Sequence, residues 1–482
     1  MTQSKTQESF TPAGIPEAIF RAYDIRGVVE EQLSADVVYQ IARAIGSEAI
    51  DLGIHSLLVG CDGRLSSPEL SRSLIGGLLE SGVNVVNLGM VPTPLLYFAA
   101  HETQYDSGVM LTASHNPADY NGLKIVFRRT CLADNQIQSI RTRILNAQIY
   151  SGKGQLSELN IQPDYISRIV RDITIERHMK VVIDCGNAVP AITAPELFTA
   201  LGCEVIPLYC DVDGRFPNHH PDPTRAENLL DLSAAVIDHG ADLGIAFDGD
   251  GDRLGVVDEK GQFINADSIM GLLVKRLAPH YQGQPIVFDV KCSRHLAQLI
   301  EQLGCEPVMH RSGHSFMKQK MQETNAPLGG EFAAHIFIKD RWYGYDDGLY
   351  AAARVIEALS VESEPASSQL DTLGDSIATP EISIAVPDAQ KFDLMRKIAR
   401  HSDWKDACLI KLDGIRAEFT DGWGLIRASN TSPALLLRFE ADNLRALHAI
   451  QAKFKALLKK FDVALDFDFM ADEPNTHTAK AS

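Results

Sequence analysis

At 482 residues and 45% hydrophobic content, the chain is long enough for several domains with full cores. Its 45 basic against 63 acidic residues leave a net charge of −18, which argues against nucleic acid or an anionic membrane as a partner. The eight cysteines (61, 131, 185, 203, 210, 292, 305 and 408) make no C-x-x-C pair, and most are expected to be buried thiols in a reducing compartment. Met1-Thr2-Gln3-Ser4-Lys5 has no apolar h-region and no run reaches membrane-spanning length, so the expected location is cytoplasmic.

In chain order, Arg21-Ala22-Tyr23-Asp24-Ile25-Arg26-Gly27 precedes a strand–helix–strand unit: Leu57–Asp62, Pro68–Glu80, Gly82–Val86. The apolar run Gly108–Leu111 reads as a strand feeding Thr112-Ala113-Ser114-His115-Asn116-Pro117, where Asn-Pro breaks the chain into a turn. Asn121-Gly122-Leu123-Lys124 follows. The unit recurs at Val181–Cys185, Ala194–Leu201 and Gly202–Ile206, and again at Pro285–Asp289, Arg294–Leu303 and Gly304–Val308. In each, a buried strand ends at an Asp, an amphipathic helix ends at a Gly, and a second strand begins. Strands Leu243–Phe247 and Leu254–Val257 flank Asp248-Gly249-Asp250-Gly251-Asp252-Arg253.

Beyond a loop at Val361–Ser368 the pattern changes. A strand (Ile382–Val386), a helix (Ala389–Ala399), hairpin turns at Asp413-Gly414 and Asp421-Gly422, a strand (Ala434–Phe439) and a helix (Leu444–Lys459) are expected. The fold class is therefore α/β: three similar mixed α/β domains with mostly parallel sheets, at 1–160, 161–262 and 263–374, plus a C-terminal α+β domain at 375–482. Residues 1–14 and 472–482 are polar and expected to be disordered.

Three loops carry the chemistry. In an extended segment alternate side chains share a face, so Asp248, Asp250 and Asp252 converge, and such a cluster repels itself unless a cation sits in it. Oxygen ligands without Cys or His favour Mg²⁺ over Zn²⁺. An EF-hand is excluded because its sixth position would be Arg253 and its flanks read as strands. Ser114-His115-Asn116-Pro117 is, alone, ordinary turn chemistry. Arg427-Ala428-Ser429-Asn430-Thr431-Ser432-Pro433, one cation followed by small hydrogen-bonding side chains, suits a phosphate monoester or a polar turn equally.

Together, in order from Phe20 to Phe439, these motifs resemble the α-D-phosphohexomutases, closest to the bacterial phosphomannomutase/phosphoglucomutase group. The resemblance implies 1-phosphate/6-phosphate interconversion of mannose and glucose phosphates through phosphorylated Ser114 and a hexose 1,6-bisphosphate. One Mg²⁺ would be held by Asp248, Asp250, Asp252 and a phosphoserine oxygen. It implies Arg253 as a charge beside the moving phosphoryl group, Lys124 or His335 as general base, and His115 as an orienter of Ser114. It further implies sugar phosphate binding by Tyr23, Arg26, Lys291, His314, Glu331, His335, Arg427, Ser429, Asn430 and Thr431, in a monomer.

One loop departs from the family. The pattern Gly-Glu-x-Ser-Gly-His stands here as Gly330-Glu331-Phe332-Ala333-Ala334-His335. Ala333 lacks a hydroxyl expected on the sugar face, and Ala334 reads as the easier change. Sugar preference is thus open between mannose and glucose phosphates on one side and glucosamine phosphate on the other. A catalytically inactive sugar-phosphate binder is the reading from another class.

Overall fold

The computed structural model describes residues 14–429, 432–461 and 475–476. It forms two compact units, one of residues up to Leu273 with Ala333–Leu370, the other of Val274–Phe332 with residues from Asp371 onward.

In the first unit, one sheet runs in spatial order Ile25–Val28, Tyr120–Phe127, Gly108–Leu111, Ser56–Cys61, Asn84–Met90, Leu156–Glu158. Ser56–Cys61 pairs in parallel with both neighbours, while Tyr120–Phe127 returns antiparallel beside Gly108–Leu111. All four residues of Gly108–Leu111 are buried, as expected of a strand covered on both faces. Helix Ala35–Asp51 begins where Ser34 accepts from Val37 N, and helix Ser67–Ser81 ends at Gly82, φ +99°. The second sheet places Leu243–Phe247 between parallel Lys180–Asp184 and antiparallel Leu254–Asp258. Both loops of interest thus leave the C-terminal ends of strands that lie in parallel pairing, where side chains are free to serve a ligand.

The second unit holds the parallel strands Glu306–His310, Pro285–Asp289 and Leu328–Gly330. It also holds the C-terminal sheet, whose strands Cys408–Ile410, Ile415–Phe419, Gly422–Ala428 and Ala434–Ala441 are antiparallel in sequence order. Helices Asp388–His401 and Leu444–Leu458 share one core with that sheet. The expected fold class holds: mostly parallel α/β sheets, then an antiparallel sheet with helices. Within the expected loop 361–368 the chain instead starts a short helix, Ala366–Leu370, because Glu259 accepts from Ser367 N and Oγ at 2.8 and 2.5 Å. Four cysteines are buried, but Cys61, Cys131 and Cys210 are half-buried and Cys408 is exposed.

Candidate active site

In the first unit the serine loop is held in a conformation its own residues disfavour. Ser114 sits at φ +50°, a left-handed backbone costing a non-glycine residue about 1–2 kcal/mol. Thr112 Oγ1 accepts from Ser114 N at 2.9 Å. Arg64, 2% exposed, donates to the carbonyls of Ser114 and Asn116 at 2.7 Å, of Tyr120 at 3.1 Å, and of Pro117. Asp62 fixes the Arg64 Nε at 3.1 Å. Buried carbonyls need partners, and one planar guanidinium satisfies four of them. The result aims Ser114 Oγ at Asp248 Oδ2, 2.6 Å away, with His115 Nδ1 at 3.2 Å.

The acidic loop is a turn rather than the extended segment expected. Gly251 takes φ +80°, and Asp248 Oδ1 accepts from the backbone N of Gly251 at 3.0 Å and of Arg253 at 3.2 Å. Curling gathers the three aspartates, each fully buried, so that one oxygen from each lies within 4.8 Å of the others. Asp250 Oδ1 and Asp252 Oδ1 are buried and have no hydrogen-bond partner among the described residues. Orphaned carboxylate oxygens in an all-oxygen cluster are what a hard divalent cation requires, so these residues fit a metal.

Lys124 Nζ lies 2.7 Å from Asp250 Oδ2 and 2.5 Å from Asp252 Oδ2, and Thr93 Oγ1 donates to Asp250 at 2.5 Å. Burial works against the Lys124 charge, yet Asp250 and Asp252 hold its pKa above the usual lysine range. Burial likewise opposes ionisation of Asp250, but Lys124 holds it below the usual carboxylate range. Asp248 is pushed well up by burial and by Asp252 and Asp250. Burial, with Arg253 and Arg26 nearby, pushes His115 well below the usual imidazole range.

Arg253 donates through Nε to His335 Nε2 at 3.1 Å and lies 3.9 Å from Asp248 and 4.0 Å from Asp222. His335 Nδ1 faces Asp346 at 3.4 Å and Asp252 at 3.5 Å. Arg26 binds Asn116 Oδ1 at 2.5 Å and pairs with Asp24, and Tyr23 stands close enough to act on the charges of both Arg26 and Arg253. Every first-unit residue proposed from sequence is therefore in one connected cluster.

The second unit gathers the remaining described candidates. Arg427 is 4% exposed and donates to Asp413 Oδ2 at 2.9 Å, which also accepts from Ser312 N. Lys291 stands 3.5 Å from Glu381, within the field of Asp289, Arg427 and Glu331. Glu331 Oε1 accepts from Gly313 N at 2.6 Å, just before His314 opens a helix. Ser429 is tied to Ser432 at 2.8 Å. Asn430 and Thr431 lie outside the described residues.

Sequence reasoning missed Arg64, Thr93 and Asp346 in the first unit, and Asp413, Arg416 and Arg438 in the second. Arg64 follows a strand-terminal Asp by two residues, a position that could have marked it. Arg416 and Arg438 lie inside strands with no motif. Arg416 donates to the carbonyls of Val290 (2.7 Å) and Cys292 (2.6 Å), and Arg438 donates to that of Lys291. Their guanidinium carbons stand 3.8 and 5.4 Å from the Trp423 ring centroid.

Ala334 corrects one expectation. It sits at φ +69°, where the family pattern has Gly, so this Ala is not the easier of the two changes.

Comparison with known proteins accords with this geometry. Family models described as phosphoglucomutase/phosphomannomutase alpha/beta/alpha domains I, II and III match residues 17–150, 163–261 and 265–375, and the C-terminal domain matches 381–457. The Phosphomannomutase/phosphoglucomutase of Pseudomonas aeruginosa is 50% identical over 455 residues, 94% of this chain and 98% of that protein. The Phosphoglucomutase of Neisseria meningitidis serogroup A is 45% identical over 451 residues, 93% of this chain and 98% of its own. A crystal structure of a family protein from Burkholderia thailandensis superposes with TM-score 0.89 at 44% identity, covering 94% and 99% of the two chains. With all four domain models matched in order and close relatives aligned along almost their full length, this chain belongs to the phosphoglucomutase/phosphomannomutase family.

Proposed function

We propose that the protein reversibly interconverts the 1- and 6-phosphates of mannose and glucose, through phosphorylated Ser114 and a hexose 1,6-bisphosphate. The observation that carries the reading is the 2.6 Å approach of buried Ser114 Oγ to Asp248 Oδ2, which seats a nucleophile on the edge of a cation site. Relatives named for this activity at 45–50% identity support it.

Ser114 gives its phosphoryl group to the free hydroxyl of a hexose monophosphate, and after the bisphosphate turns over it receives the other phosphoryl group back. Asp248, Asp250 and Asp252, with a phosphoserine oxygen, would hold one Mg²⁺, which when bound would neutralise charge on the group in transfer. Arg253 adds a fixed positive charge beside Ser114, placed by Asp248, Asp222 and His335. Lys124 stays protonated between Asp250 and Asp252, so it serves as a charge and hydrogen-bond donor. The base role passes to His335, whose Nδ1 is turned to Asp346 and Asp252 and whose Nε2 takes a proton once substrate displaces the Arg253 Nε–H it accepts from here. Neutral His115 orients the Ser114 hydroxyl.

Tyr23, Arg26, Lys291, His314, Arg427, Ser429, Asn430 and Thr431 bind phosphate, and Glu331 and His335 the sugar hydroxyls. Mannose and glucose differ only at C2, so contacts to the 3- and 4-hydroxyls admit both. The chain acts as a monomer on small sugar phosphates in the cytoplasm. Its charge of −18 disfavours nucleic acid, and no described helix is long and apolar enough to cross a membrane.

A coupled assay with mannose 1-phosphate, glucose 1-phosphate and glucosamine 1-phosphate tests this reading. Comparable turnover on the first two is expected. Preference for the third would make the protein a phosphoglucosamine mutase, and no turnover on any would make it an inert binder.

A further inference from the structure

Behind the acidic loop lie two thiols the proposed chemistry does not use. Strands Lys180–Asp184 and Glu204–Leu208 are paired in parallel with Asp184 opposite Leu208, so their ends release Cys185 and Cys210 side by side. Cys210 Sγ is 3.4 Å from Cys185 Sγ, and also 3.4 Å from the carbonyls of Ile183 and Leu208. Cys185 is fully buried and Cys210 half-buried. A disulfide needs about 2.05 Å between sulfurs, so closure asks for a movement of roughly 1.4 Å, within reach of side-chain rotation.

We propose that Cys185 and Cys210 form a reversible intrachain disulfide whose formation lowers turnover. A peroxide converts the more accessible Cys210 thiol to a sulfenic acid and releases water. The Cys185 sulfur then displaces hydroxide from the Cys210 sulfur, its proton leaving with that hydroxide as a second water. Both thiols are oxidised, two electrons passing to one peroxide. Burial pushes the Cys185 thiol well up, so the half-buried Cys210, not Cys185, is the thiol that meets oxidant first.

The consequence reaches the acidic loop through the same strand ends. Asn187 N donates to Tyr209 O at 2.9 Å, and Asn218 Nδ2 to Asn187 Oδ1 at 2.7 Å. His219 Nε2 stands 2.9 Å from Asp184. These contacts seat Pro221, whose carbonyl accepts from Gly249 N at 3.1 Å, and Asp222 beside Arg253. Pulling Cys210 toward Cys185 shifts the segment on which this support rests.

The test is peptide mapping of the full chain after hydrogen peroxide, without reduction. Trypsin is followed by Glu-C, because residues 181–215 hold no internal Lys or Arg and also carry Cys203. The expected result is a Cys185–Cys210 linked peptide lighter by two hydrogens, and a several-fold loss of turnover that dithiothreitol reverses. Cys210→Ser should lose both the link and the loss of rate. Oxidised protein with Cys210 as a sulfinic acid and no link to Cys185 overturns the site. Fully linked protein with an unchanged rate overturns its coupling to the acidic loop.

Discussion

Gly249 passes so close to Ser114 that a Cβ on it would lie 2.1 Å from the Ser114 carbonyl oxygen. The serine loop and the acidic loop therefore meet backbone to backbone, and their spacing has no side chain to adjust it. Gly249→Ala must drive them apart by about 1 Å, and a misplacement of that size costs on the order of 100-fold in rate. Steady-state kinetics should show turnover falling by about that factor with KM changed only a few-fold. A variant with normal turnover would show the contact to be incidental.

Ser114 itself gives a second test. Intact-protein mass spectrometry should find a substoichiometric phosphate that maps to Ser114 and that a hexose 1-phosphate removes. Ser114→Ala should lose nearly all turnover while calorimetry still detects sugar phosphate binding. Phosphate on another residue, with Ser114→Ala active, would end the phosphoserine mechanism.

The proposed metal site predicts that a chelator abolishes activity and Mg²⁺ restores it. Asp250→Asn removes the charge and one oxygen of a carboxylate that carries an orphaned Oδ1 and faces Lys124 through Oδ2. It should weaken metal binding and lower turnover, leaving KM for sugar phosphate within a few-fold. Full activity in excess EDTA would give the acidic loop another purpose.

A pH test lies outside the serine and acidic loops. Asp347 caps helix Gly348–Ser360, accepting from Tyr350 N at 2.9 Å, Tyr165 at 2.8 Å and Trp342 at 3.2 Å. Burial nevertheless pushes its carboxyl up to about 7, with Asp346 adding to the rise. A folded pKa above the unfolded 3.8 means the folded state binds the proton more tightly. The stabilisation is present below about pH 4 and lost as pH rises through about 7, by roughly 4 kcal/mol at most. Thermal unfolding should show the wild-type Tm falling relative to Asp347→Asn between pH 5 and pH 8. A constant difference would mean that Asp347 stays ionised throughout.

Ala333 and Ala334 separate specificity from strain. Ala334→Gly should stabilise the fold by about 1 kcal/mol, relieving a positive φ, and raise Tm without changing sugar preference. Ala333→Ser restores one neutral hydrogen bond, about 0.5–1.5 kcal/mol, so KM should drop by about tenfold or less, alike for glucose and mannose phosphates. A strong split between the two sugars would show that this loop reads C2.

Most of the fold was legible because each repeated unit is punctuated by its own chemistry. Apolar strands end at Asp184 and Asp289 or, in the first repeat, just before Asp62, and Gly82, Gly202 and Gly304 take positive φ after the helices. The short helix at Ala366 escaped notice because a distant carboxylate, Glu259, supports its start. Of the site, the loops announced themselves, since Ser-His-Asn-Pro and alternating Asp-Gly are local patterns. What sequence could not convey is who holds the loops. Arg64 works on four carbonyls some fifty residues away, and Asp346 reaches His335 across a bend, neither with any periodic trace. The protonation of Lys124 was equally hidden, because it depends on Asp250 and Asp252, more than a hundred residues distant.

Arg416, over the Trp423 ring, and Arg438, over the Phe332 ring, fasten the C-terminal sheet to three successive carbonyls around Lys291. Asp413 adds a second fastening by gripping both Arg427 and the Ser312 amide. The spacing of the Arg427 and Lys291 cations and the Glu331 carboxylate is therefore set inside one compact unit, as the jaws of a calliper are set by its frame. Under the binding roles proposed above, that span would select a sugar phosphate by its length, whichever of its ends carries the phosphate. A mutase must read its substrate in both orientations, and a gauge that measures length rather than direction serves it equally well either way round.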